Sequence, residues 1–98
     1  MNIPDDPFVR ELLPEFVDQW IQDIESQFQG LISSKNEDEL YRFGHTLKGS
    51  CFQFGLDDVA EMGIKLMGLA REAKFDEAAT METQIRSAFE TVKKELEG

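Results

Sequence analysis

One histidine stands in these 98 residues, and it opens the run His45-Thr46-Leu47-Lys48-Gly49-Ser50, with a further glycine at Gly55. An imidazole is the side chain whose unperturbed pKa lies near neutrality, so it can offer a nitrogen lone pair at cellular pH. Residues 37 to 54 read as one amphipathic helix. At about 100° per residue, Leu40, Phe43, Leu47, Cys51 and Phe54 fall within an arc of about 80°, which must face a core. His45 then projects about 160° from Leu47, toward solvent. Lys48 at i+3 and Gly49 at i+4 are its neighbours one turn on. Glycine inside a helix costs roughly 1 kcal/mol relative to alanine, so Gly49 suggests a surface kept bare for the approach of another molecule. A nucleophilic nitrogen, a cation able to neutralise an anion and an uncrowded next turn suit a phosphoryl-accepting site.

The elements that must hold this helix are legible in the apolar periodicity. Asp6 before Pro7 reads as a helix start, with aspartate capping free amides and proline at the first helical position. A short segment to about Leu13 is expected, after which Pro14 begins or kinks a longer helix carrying Leu13, Phe16, Val17, Trp20, Ile24, Phe28 and Leu31 on its inner face. Ser33-Ser34-Lys35-Asn36 reads as a connector, and Asn36 with Glu39 has capping-box spacing. Gly55 suits the turn that ends the histidine helix, and Asp57 is expected to cap the next. There Val59, Met62, Gly63, Leu66, Met67, Leu69, Ala70 and Ala73 share a face on which small residues permit close helix approach. Asp76 is expected to cap a last helix whose inner side is Ala78, Met81, Ile85, Ala88, Phe89, Val92 and Leu96; its charges form a solvated face. The expected fold is all-α: an antiparallel up-down-up-down four-helix bundle with a short additional N-terminal helix, as one domain over residues 1–98.

The motif and the succession of helices together resemble the histidine-containing phosphotransfer (HPt) domains of two-component phosphorelay signalling. The shared pattern is His-x-x-Lys-Gly-x-x-x-x-x-Gly, matched by His45, Lys48, Gly49 and Gly55. Gly44 stands where alanine is frequent, Cys51 where serine or alanine is usual, and bulky Phe52 where a small residue is common. The resemblance implies a phosphoryl carrier without kinase activity of its own. It would accept the group on His45 from a receiver-domain aspartyl phosphate and pass it to another receiver aspartate. In that reading His45 is the phosphoacceptor through Nε2, Lys48 stabilises phosphate charge and Gly49 admits the receiver. Tyr41 and Phe52, about 40° and 20° from His45 in projection, flank it as partner-binding aromatics, or else cover a neighbouring segment such as residues 7 to 13. The chain itself needs no cofactor and no metal; Mg²⁺ is expected in the partner receiver domain, and the residues name no activating base.

Composition narrows the alternatives. A net charge of −10 argues against nucleic acid or an anionic membrane as partner, which leaves proteins. Response regulator receiver domains are the expected partners, with a hybrid sensor kinase as a further candidate, and a monomer is expected. The sole cysteine excludes an internal disulfide, and neither a signal peptide nor an 18-residue apolar run appears, so a cytoplasmic location is the simplest expectation. Cys51 reads as a small buried hydrophobe. The start methionine and capped first helix favour a free-standing protein. The rival readings are an HPt-like adaptor that binds a receiver without carrying phosphate, a metal-binding bundle, for which His45 and Cys51 on opposite helix faces are poor ligands, and a purely structural helical domain.

Overall fold

The computed structural model describes residues 5–97, which fold into four helices: α1 (Pro7–Ser34), α2 (Glu37–Gln53), α3 (Asp57–Arg71) and α4 (Phe75–Glu97). Links of two or three residues leave each helix no choice but to pack antiparallel to the next, giving the up-down-up-down bundle. The N-terminal cap is as read: Asp6 accepts a 2.9 Å hydrogen bond from the amide of Phe8, with Pro7 opening the helix. Residues 7 to 13, however, are not a separate short helix. They are the first turns of α1, which runs unbroken through Pro14. Pro14 forfeits one backbone bond on the exposed side, while Leu13 and Val17 on the inner side are fully buried and hold the chain on course.

Other boundaries shift for equally local reasons. α1 continues past Leu31 to Ser34, so two residues of the expected connector are helical, and the chain turns at Lys35 in a left-handed conformation (φ 52°). Asn36 caps α2 as expected, accepting from the Glu39 amide at 3.1 Å. Gly55 (φ 76°) ends it: the Leu56 amide reaches back to the Cys51 carbonyl at 2.8 Å, which satisfies a carbonyl at the helix end. Asp57 does not cap α3, because Leu56 holds that position without a side-chain bond. Asp57 and Asp58 lie instead in the first turn, where the helix dipole favours negative charge. Asp76 is likewise in the first turn of α4, not its cap, since the helix already begins at Phe75. Ala73 lies outside α3, exposed in a left-handed turn (φ 56°).

One apolar core runs through the bundle, with Leu13, Ile24, Phe28, Leu40, Leu47, Leu66, Ile85 and Phe89 among its fully buried members. Met62 is half-buried against its edge, and Met67 is half-buried beside Gly44, neither of them inside. Two different spacers set the helix separations. Between α2 and α3 the backbones nearly touch at Gly44 and Gly63: a Cβ on Gly44 would come within 2.9 Å of the Gly63 carbonyl oxygen, and one on Gly63 within 2.8 Å of both the Gly44 carbonyl oxygen and the Lys48 amide nitrogen. Between α1 and α2 aromatic rings fill a wider gap. Phe16 stacks on Phe54 at 4.1 Å between centroids, and Trp20 and Phe28 meet Phe43 edge-on at 5.6 and 5.7 Å. Trp20 therefore packs inside the core stripe, stacked also on Phe89 of α4. Outside the core, Lys93 of α4 pairs with Asp18 of α1 at 2.9 Å, and Gln29 of α1 donates to Glu82 of α4 at 2.6 Å. No helix among the described residues is long and apolar enough to cross a membrane.

These spacers make two glycines respond oppositely to the same substitution. Gly63→Ala should lower unfolding free energy by about 1–3 kcal/mol, because the new methyl meets backbone that cannot yield without parting α2 from α3. Gly30→Ala, with nothing within 4 Å of the added carbon, should raise it by up to about 1 kcal/mol. Urea denaturation of both variants checks this.

Candidate functional site

α2 turns one edge toward α3, one toward α1, and leaves its outer edge to solvent. Gly44, Leu47 and Cys51 occupy the inner edges and are buried; His45 is exposed on the outer one. This is the placement the periodicity requires. Lys48 is half-buried one turn on, and its backbone seats against Gly63. Gly49 is exposed, and a Cβ built on it meets nothing within 4 Å. Packing within the bundle therefore does not require glycine there. Gly30 shows that a bare helical glycine is not by itself a site; Gly49 differs because His45 is its neighbour one turn back.

The two aromatics of the expected docking face differ in character. Phe52 is 44% exposed, a large apolar ring presented to water two turns beyond His45. Tyr41 is half-buried, one turn before His45, with its ring 6.3 Å from the imidazole and 27° from coplanar with it. Its ring also carries the guanidinium of Arg71, whose Cζ lies 4.0 Å from the centroid. Residues 7 to 13 offer no segment for these aromatics to cover as a separate helix, and they leave Phe8 and Leu12 themselves exposed.

Arg71 brings α3 into the site, and sequence reasoning missed it. Seven residues before it, within about 20° on the same helix face, stands Ile64, an exposed apolar side chain, and Gly68 lies between them with open space above it. A signal was present: Ile64, Gly68 and Arg71 all fall outside the inner face assigned to this helix, and an isoleucine off the core stripe needs another reason to be there. The outer surface of the α2–α3 hairpin thus combines Tyr41, His45, Lys48 and Phe52 with Ile64 and Arg71. Among the described residues, no carboxylate lies within ion-pair distance of His45, Lys48 or Arg71, although acidic residues outnumber basic ones twenty to ten. The groove between α1 and α2, lined by Trp20, Leu31, Phe43 and Thr46, does not include His45. His45 stands on an open helix surface, geometry suited to a docking macromolecule more than to a small ligand that needs enclosure.

A single helix carrying an exposed histidine, with lysine and glycine following at i+3 and i+4, now stands on a four-helix bundle. The family model of the Hpt domain matches residues 10–95, nearly the whole chain. This chain belongs to the Hpt domain family. Histidine phosphotransfer within a phosphorelay follows from that membership, as does interaction with receiver domains of response regulators as a class. No curated protein and no solved structure matches the chain.

On the opposite edge of α2, Cys51 is fully buried, and burial pushes its thiol up to about 12 from 9.0 by desolvating the thiolate. In the unfolded chain the thiol ionises near 9.0, while the folded thiol stays protonated to about 12. The unfolded state therefore binds fewer protons in that window, and stability must fall as pH rises through it. Wild-type protein should lose stability more steeply above pH 9 than Cys51→Ala does. At pH 8 its thiol should resist iodoacetamide until urea unfolds the bundle, a difference that intact-mass spectrometry reads.

Proposed function

We propose that this Hpt domain is a phosphorelay intermediate in which His45 accepts a phosphoryl group from the aspartyl phosphate of one receiver domain and passes it to the aspartate of another. The observation that carries the reading is the exposure of the sole histidine on the outer face of α2, with Lys48 beside it and the bare Gly49 one turn on. In the forward step the Nε2 lone pair attacks phosphorus, the N–P bond forms, and the bond from phosphorus to the aspartyl oxygen breaks with its electron pair returning to the carboxylate. The return step is the reverse, on a second receiver. Little is asked of this chain beyond a nucleophile, a cation and room, because an aspartyl phosphate is already activated. The receiver is proposed to supply Mg²⁺ and the carboxylates that hold it, so this chain acts without a cofactor of its own.

Lys48 is proposed to stabilise the phosphoryl charge and Gly49 to let the receiver's loops approach His45. Tyr41 and Phe52 are proposed to dock the receiver; the exposure of Phe52 two turns beyond the nucleophile and of Ile64 on the neighbouring helix supports an apolar contact around a polar centre. The proposed partners are receiver domains of response regulators, with that of a hybrid sensor kinase as a further candidate. The protein is proposed to act as a monomer in the cytoplasm.

Incubation with a receiver carrying labelled aspartyl phosphate and Mg²⁺ should place acid-labile label on the native protein and none on His45→Gln. Label on the variant would sink the assignment, and receiver binding without label on either protein would favour the adaptor reading. Two further variants separate docking from chemistry. Phe52→Ala should fold normally and weaken receiver binding by about 1–3 kcal/mol, near the cost of truncating an interface anchor. Gly49→Ala should be at least as stable as the native protein yet slow transfer about tenfold or more, since a misplacement of about 1 Å is already expensive in such steps. Transfer by Gly49→Ala at the native rate would show that the bare turn has no part in access.

A further inference from the structure

Arg71 has no place in the motif that marks α2, yet its guanidinium rests one ring away from the proposed acceptor. Its Cζ lies 4.0 Å from the Tyr41 centroid, and that ring lies 6.3 Å from the His45 ring. Tyr41 stands one turn before His45 on α2 and Lys48 one turn after, so cations from two helices bracket the imidazole along the helix axis. Arg71 is the basic residue of the last turn of α3, and among the described residues no carboxylate forms an ion pair with it. Glu37 and Asp38 share a shallow depression with Arg71 at the first turn of α2, and neither forms an ion pair with it.

We propose that Arg71 is a second cation of the phosphoryl site, held on the face of Tyr41 while His45 is unmodified and drawn onto the phosphoryl oxygens once Nε2 carries the group. The proposal rests on the reading of His45 as phosphoryl acceptor. A cation on the face of an aromatic ring at the protein surface is weakly held. A planar guanidinium presents paired N–H donors that match phosphate oxygens two at a time, and charge assistance strengthens such bonds well beyond the contact it would give up. The exchange needs only side-chain rotation of an exposed arginine; α2 and α3 stay fixed by the Gly44–Gly63 contact. Its consequence is a surface that differs between the two states of the carrier: Tyr41 is covered by Arg71 when His45 is empty and bare when it is loaded. A receiver docking on this face would meet a different aromatic surface as donor and as acceptor.

The test uses the native protein, Arg71→Ala, Arg71→Lys and Tyr41→Phe, each treated with phosphoramidate. The Nε2 lone pair of His45 attacks phosphorus, the donor's P–N bond breaks and ammonia leaves, so no receiver is required. His45 and Tyr41 are the only residues of their types, so their signals are unambiguous. On phosphorylation, the Arg71 side-chain Nε–H resonance and the Tyr41 ring protons should both shift in the native protein. A ³¹P titration should find the phosphoryl group's ionisation raised in Arg71→Ala by roughly half a unit or more, partly restored in Arg71→Lys and unchanged in Tyr41→Phe, because a neighbouring cation favours the dianion. Identical ³¹P titrations for native protein and Arg71→Ala would overturn the proposal and leave Arg71 as a prop for Tyr41. A native protein that takes no phosphoryl group from phosphoramidate or from a phosphorylated receiver would instead bring down the reading of His45, and this inference with it.

Discussion

The contact between Gly44 and Gly63 sets the geometry on which the rest depends. Two backbones that approach until a single methyl would collide can do so only where both residues lack a side chain, and that proximity makes the outer edges of α2 and α3 into one surface. Arg71 reaches Tyr41 across this seam, and Ile64 stands on the same side as Phe52 because of it. The same contact fixes the backbone of Lys48, one turn from the nucleophile, so the position of the motif's cation is anchored by helix packing and not by an ion pair. Gly44 departs from the alanine frequent in the family, and here an alanine methyl would fall against the Gly63 carbonyl oxygen.

The inner side of α2 is held by a contrasting device. Rings from Phe16, Trp20 and Phe28 fill the distance to α1 and meet Phe43 on α2 and Phe54 at its C-terminal cap, so the helix is pressed tightly to one neighbour and propped off another. Apolar surface removed from water on this side supplies the stability that the glycine-containing helices lack in intrinsic propensity. The outer side is thereby relieved of structural duty and can expose a nucleophile, two cations and large apolar groups in a strongly acidic protein.

Most of this was legible in the residues. Periodicity placed Leu47 and Cys51 inward and His45 outward, and Asp6, Asn36 and Gly55 marked helix ends because each supplies a specific partner or backbone conformation. The misreadings share a cause: local signals were given weight that tertiary burial overrides. Pro14 reads as a break, but fully buried Leu13 and Val17 carry the helix across it. Asp57 and Asp76 read as caps, although α3 begins at Asp57 itself and α4 at Phe75, so that the acids serve in the first turn. Arg71 was missed for another reason. Its place off the core stripe was visible, but its relation to His45 runs through Tyr41 across a helix pair, and the spacing of residues along a single helix cannot show that.

The claim at the centre is that the exposed ring of His45 becomes covalently loaded. A long-range ¹H–¹⁵N spectrum of its imidazole, recorded before and after incubation with a phosphorylated receiver, reads this directly, with no other histidine to confuse it. The account predicts that Nε2 takes on the shift of a phosphorus-substituted nitrogen while the backbone spectrum of the bundle stays in place. Ring nitrogens that keep their original shifts, while the receiver's resonances show that it is bound, would contradict it.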